Sequence, residues 1–177
     1  MKITWKGNDI SDLVNTVTWS GSDYSSARSL EFALPNPAGD PNVKTPNIKT
    51  GDLICFYDSS KKKFHGKVTK RERKGEAGTI SYTAYDYLLY LTRSKGTYKF
   101  KKKTPEQITR LICKDLKIKV KNIAKTKVKI KKMLFTDKEY YNMILAAYTK
   151  ARKKTGTNYQ ILMEGDQLSV IKKRKKC

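Results

Sequence analysis

Residues 136–171, TDKEYYNMILAAYTKARKKTGTNYQILMEGDQLSVI, contain in one run the signals for a helix, its end and a β-hairpin. Thr136 followed by Glu139 has the spacing of a capping box, which predicts that a helix begins here. Apolar side chains then recur at helical spacing, at Tyr140, Met143, Ile144, Ala147, Tyr148 and Ala151. The basic residues 152–154 suit the negative end of the helix dipole, and Gly156 suits a left-handed residue after the last turn.

The end of this stretch predicts a β-hairpin. Residues 159–163 and 167–171 are β-prone runs, and the short turn Glu164-Gly165-Asp166 joins them. Nothing in residues 136–171 indicates a catalytic site. The stretch therefore indicates a scaffold element rather than an active site.

The first 85 residues or so are rich in short β-prone runs and poor in helix signals. Residues 29–34 alternate between apolar and polar side chains and end at Pro35. Residues 35–51, rich in Pro, Asn, Gly and Asp, predict an irregular connection, and residues 75–78 predict a turn. Strands separated by turns, with so little helix between them, favour a small antiparallel barrel or sandwich over a βαβ fold.

A second helix start lies in the later half of the chain. Thr104 precedes Pro105 and stands three residues before Gln107, which again predicts a capped helix. Its apolar face comprises Ile108, Leu111, Ile112 and Leu116. Lysine-rich strands are predicted at 117–121 and 127–131. We therefore expect an α+β protein with two domains. An antiparallel β-barrel or sandwich spans 1–95, and a small basic α+β domain with two helices and a C-terminal hairpin spans 96–177.

The charge of the chain is strongly positive and unevenly placed. Lys and Arg number 39 against 16 Asp and Glu, a net charge of +23, and residues 96–177 contain 24 basic but only 6 acidic side chains. Such a field favours polyanions, among them nucleic acid, an anionic membrane, a teichoic-acid-like polymer or an acidic protein. Most basic residues are lysines that alternate with apolar residues, as expected on the solvent face of strands. No groove-reading element is visible, so specific nucleic-acid recognition is not expected. A basic nucleic-acid-binding protein remains the alternative function.

The sequence offers no constellation of catalytic or metal-binding residues. His65 is the only histidine, and Cys55, Cys113 and Cys177 lie far apart, without metal-site spacing or a disulfide framework. Cys55 and Cys113 sit in apolar runs, where buried thiols are expected. Phosphate-binding glycine motifs are absent. We expect no enzyme activity, catalytic residue, cofactor or metal, and no membrane span. The opening residues alternate like a strand rather than a secretory signal, which predicts production in a reducing cytoplasm.

Four segments, taken in order, resemble a known family. They are ISYTAYDYLLYL (80–91), YKFKKKTPEQITRLIC (98–113), TDKEYYNMILAA (136–147) and YQILMEGDQLSV (159–170). Their order and spacing resemble the XkdQ/YqbQ proteins of defective prophages and contractile bacteriocins. They are similar, more distantly, to the late-control protein D group of tail hub proteins. The resemblance covers essentially the whole chain. Members usually continue beyond this length, so it implies a shortened member or a fragment.

This resemblance implies a non-enzymatic structural role in the tail baseplate of a phage, prophage or tail-like bacteriocin. Such hubs form a trimeric ring that joins the tail tube to the spike and meets the baseplate wedges. On that basis we expect a homotrimer made in the bacterial host cytoplasm, with tube, spike and wedge proteins as partners. The lysines of 96–177 would face a partner or the lumen of the ring. A cell-wall-degrading tail enzyme is the rival within tails, and it would need a paired acid site or a zinc ligand set.

Overall fold

The computed structural model describes residues 1–21, 27–36, 42, 45–74 and 78–173. The chain divides into two compact units, Met1–Tyr87 and Leu88–Cys177. In its described residues the first, the N-terminal unit, is built from strands and one short 3-10 turn, whereas the C-terminal unit mixes helices with strands. The predicted α+β class is confirmed. Whether residues 1–95 and 96–177 fold as independent domains stays a prediction.

The described part of the N-terminal unit forms one seven-stranded antiparallel sheet. Its strands are β1 (Lys2–Trp5), β2 (Asn8–Asp9), β3 (Thr16–Ser20), β4 (Ser29–Pro35), β5 (Leu53–Asp58), β6 (Lys61–Lys74) and β7 (Thr79–Asp86), and the 3-10 turn is Ser11–Leu13. They lie in the order β2-β1-β5-β6-β7-β4-β3. Alternation decides which side chains point inward, since every second residue of β7 from Ile80 to Asp86 is buried.

The sheet curls strongly around a single apolar core. Trp19 of β3 and Phe56 of β5 lie 6.1 Å apart, measured between ring centroids. Three strands separate β3 from β5, so a flat sheet would hold these strands about 19 Å apart. The concave face encloses the core residues Ile3, Leu30, Phe32, Leu34, Ile48, Ile54, Phe64, Val68, Ile80 and Tyr82. The predicted barrel or sandwich is thus one curled antiparallel sheet.

Asp52 ties the start of β5 to the end of β1. Its carboxylate accepts hydrogen bonds from the Lys49 amide at 3.0 Å and from Trp5 Nε1 at 2.9 Å, and it pairs with Lys6 Nζ at 2.9 Å. The side chain is only 13% exposed. The Lys49 amide hydrogen bond, assisted by Lys6 and Trp5, lowers the pKa of Asp52 to about 2.

We expect Asp52 to stabilise the N-terminal unit in a pH-dependent way. Because its pKa is lower in the folded than in the unfolded chain, its contribution is complete above the unfolded pKa and is lost as the pH falls toward about 2. Asp52→Asn should lower the free energy of unfolding by about 1–2 kcal/mol near neutral pH. Denaturant unfolding of both proteins between acid and neutral pH measures the difference. A difference that stays constant down to the acid end would contradict the prediction.

The C-terminal unit contains three helices and five strands in its described residues. They are α1 (Leu88–Arg93), β8 (Lys95–Lys103), α2 (Pro105–Asp115), β9 (Lys119–Ile123), β10 (Ile130–Glu139), α3 (Tyr140–Thr155), β11 (Tyr159–Glu164) and β12 (Gln167–Lys172). β8 and β10 pair as an antiparallel ribbon. β12 lies between β11 and β9, antiparallel to β11 and parallel to β9. The predicted hairpin is therefore present as β11 and β12, and β9 adds a third strand to it.

The amphipathic helices α2 and α3 pack against each other in this unit. The buried face of α3 comprises Met143, Ile144, Ala147, Tyr148 and Ala151. These are the residues that the helical spacing predicted, except that Tyr140 is only partly buried. Gly156 ends the helix with a φ of 68°, as predicted. In the described chain no helix has both the length and the apolar character needed to cross a membrane.

The capping box of α2 is present as predicted. Thr104 Oγ1 accepts a hydrogen bond from the Gln107 amide, and Gln107 Oε1 accepts one from the Thr104 amide at 3.0 Å. Pro105 occupies the first helical turn, where it removes no intrahelical hydrogen bond.

Thr104→Ala should lower the free energy of unfolding by about 1 kcal/mol, because it leaves an amide at the start of α2 without its side-chain acceptor. Thr149→Ala is the matched control, since the Thr149 hydroxyl bonds only to a carbonyl of its own helix, that of Leu145. The control should change stability by less than about 0.5 kcal/mol. Denaturant unfolding compares the two variants, and equal losses would argue against a capping role.

The predicted start of the last helix is wrong. Residues 136–139 continue strand β10, and α3 begins at Tyr140 without a side-chain cap at Glu139. Lys138 and Glu139 pair with Gly96 and Lys95 of β8. A strand partner some forty residues away therefore overrides the local capping signal.

The strand predicted at 127–131 is also largely wrong, because β10 begins only at Ile130. Thr126 explains the difference. Its hydroxyl donates to Glu106 Oε2 at 2.9 Å and accepts a hydrogen bond from the Val128 amide at 3.2 Å. The second bond occupies the Val128 amide, which would otherwise be available to a strand partner. Two other predictions, those for residues 35–51 and 75–78, fall partly outside the described residues, and Cys177 lies outside them as well.

Candidate interaction surface

His65, Cys55 and Cys113, the side chains with catalytic potential, pack against neighbouring strands and helices. His65 of β6 lies opposite Cys55 of β5, with Nδ1 3.3 Å from the Cys55 sulfur, and its ring stacks on Tyr87 with centroids 5.5 Å apart. In the described ranges, no group of three or more His, Cys, Asp or Glu could hold a metal ion. The predicted absence of catalytic, cofactor and metal residues stays a prediction.

Cys113 is buried in α2, as its apolar surroundings predicted. Burial raises the pKa of its thiol to about 12. At neutral pH the side chain is therefore a neutral thiol packed among apolar groups, and it is unsuited to act as a nucleophile.

The ribbon formed by β8 and β10 has one apolar face. Phe100 and Met133 are opposite one another and buried, and Tyr98 lies opposite Phe135. The Tyr98 and Phe100 rings stack with centroids 5.2 Å apart, and Tyr98 meets Tyr140 of α3 edge to face at 6.0 Å. This face anchors the ribbon to the helices.

Tyr98 also hydrogen-bonds to Asp115 at the end of α2. Burial, together with this carboxylate, raises the pKa of the Tyr98 hydroxyl to about 12. The hydroxyl therefore stays protonated and continues to donate to Asp115, which fixes the ribbon against α2.

The opposite face of the ribbon is exposed and basic. We call it the lysine face, and it consists of Thr97, Lys99, Lys101, Lys132, Leu134 and Thr136. Lys99 pairs with Leu134 and Lys101 pairs with Lys132. Leu134 is 61% exposed although it lies in the middle of a strand. Two lysines directly opposite each other repel, which destabilises an isolated strand pair.

Among the described residues, no ion pair involves the lysine face. The described ion pairs involve Lys2, Lys6, Lys70, Lys95, Lys119 and Lys121, and none of them belongs to the lysine face. Lysines elsewhere in the C-terminal unit do form ion pairs. Lys119 and Lys121 of β9 pair with Asp166 and Glu164 at the turn between β11 and β12, at 3.3 and 2.5 Å. Within the described chain, the lysine face therefore differs from the other lysine-rich strand in that its lysines form no ion pair.

The N-terminal unit presents a different polar surface. A shallow cavity of about 360 Å³ lies over β3, β4, β6 and β7, and its charged lining residues are Glu31, Lys70 and Glu72. Lys70 and Glu72 pair at 2.7 Å. Because both signs of charge are present, this surface has no strong preference for a polyanion.

No site residue is predicted from the sequence, and the lysine face is not apparent in it. The expectation that lysines lie on the solvent face of strands was general, and it did not locate this surface. The role of Leu134 depends on its pairing with a residue 35 positions earlier in the chain, which local patterns do not reveal.

The chain has recognisable relatives in sequence. The YQBQ-like family matches residues 17–177. The phage-like element PBSX protein XkdQ of Bacillus subtilis (strain 168) is 30% identical over 159 residues, which cover 89% of this chain and 48% of XkdQ. The uncharacterized protein YqbQ of the same strain is 30% identical over 150 residues, covering 84% of this chain and 45% of YqbQ. The chain thus spans about half the length of these relatives.

Solved structures share the fold at low sequence identity. The 43 kDa tail protein of prophage MuSo2 from Shewanella oneidensis has a TM-score of 0.74 at 13% identity, covering 96% of this chain and 53% of that protein. A tail protein of Neisseria meningitidis MC58 has a TM-score of 0.62 at 14% identity, covering 96% of this chain and half of its own. The E. coli c3393 protein, a type VI secretion component similar to T4 tail proteins, has a TM-score of 0.60 at 10% identity, over 96% of this chain and 48% of its own. These similarities concern the fold, and membership follows from the sequence match: the chain belongs to the YQBQ-like family.

Proposed function

We propose that the chain is a structural component of a phage or prophage tail, or of a tail-like bacteriocin, and that it acts in the baseplate hub between tail tube and spike. Two observations carry the proposal. The fold matches a prophage tail protein over 96% of the chain, and the sequence is 30% identical to a protein of a phage-like element. In this role the partners are tube, spike and wedge proteins, and the chain is made in the cytoplasm of the bacterial host.

The curled sheet supports an assembly role. Its edge strand β3 has the sequence TVTWS, with no charged residue and no proline, and Trp19 on it is 41% exposed. Natural edge strands usually bear charges or proline, which prevent pairing with another chain. An uncharged edge is therefore consistent with a protein that works inside an oligomer, and a homotrimer is the state we propose.

Purified tail particles provide the test of location. Mass spectrometry should detect the chain in the particles, and gold-labelled antibody should mark the end of the tail that bears the baseplate. Label along the whole tube, or absence of the chain from intact particles, would overturn the hub proposal. Light scattering or native mass spectrometry should give the mass of a trimer, and a monomer at every concentration tested would contradict the trimer.

The net charge of +23 favours a second candidate function, that of a basic nucleic-acid-binding protein. A salt titration with double-stranded DNA separates the two. Tight binding that grows with DNA length and falls steeply with salt would support the nucleic-acid role and count against the tail role.

Under the same proposal, we expect the chain to have no enzyme activity. Purified protein should leave peptidoglycan intact in a clearing assay, because the described residues offer no metal-binding cluster and Cys113 is held as a neutral thiol. Measurable clearing by the purified chain would replace the structural role with that of a cell-wall-degrading tail enzyme.

A further inference from the structure

The lysine face of the β8–β10 ribbon combines an apolar side chain with three surrounding lysines. Leu134 has Lys99 directly opposite, Lys132 two residues away along the same strand, and Lys101 diagonally across the ribbon. Side chains in these relations lie about 5–8 Å apart on one face. All four are exposed. Because the ribbon is fixed to the helices by its other face, the backbone positions that carry these side chains are set before any partner arrives.

The arrangement is unfavourable for the chain alone. Single exposed apolar residues are common on protein surfaces, but Leu134 is the most exposed large apolar residue in any described helix or strand. It also sits beside the like-charged pair of Lys101 and Lys132. A bound group that covers Leu134 and brings carboxylates to the lysines would remove both costs.

We propose that the lysine face is a docking surface for an acidic segment of another protein, with an apolar side chain over Leu134 and flanking carboxylates against Lys99, Lys101 and Lys132. The inference deepens the proposed tail role, and it rests on that role only in choosing a protein as the partner. It defines the chemistry of one partner and the residues that recognise it.

Charge complementarity decides between possible occupants. A second copy of this chain is a poor one, since residues 96–177 carry 24 basic and only 6 acidic side chains. Nucleic acid is less suited to the face, which presents leucine and threonine but no arginine or aromatic ring. Single-strand binding surfaces stack bases on such rings, and phosphates would leave Leu134 uncovered.

The test uses the isolated chain and three labelled probes in fluorescence anisotropy. The first probe is a short synthetic peptide in which glutamate alternates with valine, the second is polyglutamate of equal charge, and the third is a short DNA duplex. The alternating peptide should bind more tightly than polyglutamate. Leu134→Thr should remove this advantage while leaving polyglutamate binding within about twofold of the wild type.

A charge variant and its matched control complete the design. The triple variant Lys99→Gln, Lys101→Gln, Lys132→Gln should weaken peptide binding about tenfold. The control Lys150→Gln, Lys153→Gln, Lys154→Gln removes the same charge from exposed positions of α3 and should weaken it less than twofold. Since the substituted side chains are all exposed, every variant should remain folded at the temperature of the binding assay, which circular dichroism checks.

Three results would overturn the inference. The first is equal weakening by the two triple variants, which would mean that only the overall charge matters. The second is peptide binding that is insensitive to Leu134→Thr. The third is DNA binding tighter than peptide binding and lost specifically in the lysine-face triple, which would make this a nucleic-acid surface. The particle experiments above test the tail role separately, so either proposal can fail while the other stands.

Discussion

Replacing Ile112 with alanine should lower the free energy of unfolding of the C-terminal unit by about 2–5 kcal/mol. Ile112 lies in α2 and is 0% exposed. The substitution removes three carbon atoms from a packed core and leaves a cavity that the neighbouring helix side chains can fill only in part. Denaturant unfolding, followed by circular dichroism, measures the loss.

Leu111→Ala is the matched control, because Leu111 is the preceding residue of the same helix and loses the same number of atoms. Sequence periodicity placed both residues on one apolar face, but Leu111 is 38% exposed. Its substitution should cost less than about 1 kcal/mol. Equal losses in the two variants would mean that burial within α2 does not decide its stability.

Gly66→Ala should destabilise the N-terminal unit by about 3 kcal/mol, at the upper end of what overpacking usually costs. Gly66 lies in β6, between β5 and β7. A Cβ atom here would lie far inside van der Waals contact with the carbonyl oxygen of Tyr85 and with the ring of Phe64. The carbonyl belongs to the β7 backbone and cannot move without disturbing the pairing of β6 with β7.

Gly21→Ala serves as the control for this prediction. A Cβ atom at Gly21 would meet only the side chain of Arg28, at 2.8 Å from its Cγ atom, and that flexible side chain can rotate away. We expect a change of less than about 1 kcal/mol. Thermal unfolding of both variants measures the contrast, and an unfolding temperature for Gly66→Ala equal to that of the wild type would refute the close-approach argument.

Local patterns in the sequence predicted those features that depend on neighbouring residues. The buried face of α3, its end at Gly156 and the capping box at Thr104 each require only residues within a few turns of one another. The alternation of residues 29–34, which lie in β4, likewise follows from those residues alone. In these cases propensity, periodicity and tertiary packing favour the same structure.

Features that depend on distant residues were not predicted. The extension of β10 through residues 136–139 requires β8 as a partner, and the irregular path near Thr126 requires Glu106. The parallel pairing of β9 with β12 joins residues about fifty positions apart. The lysine face arises from the same kind of distant register, which is why composition indicated a basic surface but not its location.

The position of β12 in the middle of its sheet has a consequence for how the protein is made. β9 and β11 each pair with β12 and not with each other. During synthesis the β9 residues leave the ribosome first and remain unpaired while some fifty further residues are added. At bacterial elongation rates of about 5–20 residues per second, that interval lasts several seconds. For that time the nascent chain exposes a lysine-rich strand, whose charge protects it from pairing with other chains until Gln167–Lys172 emerges.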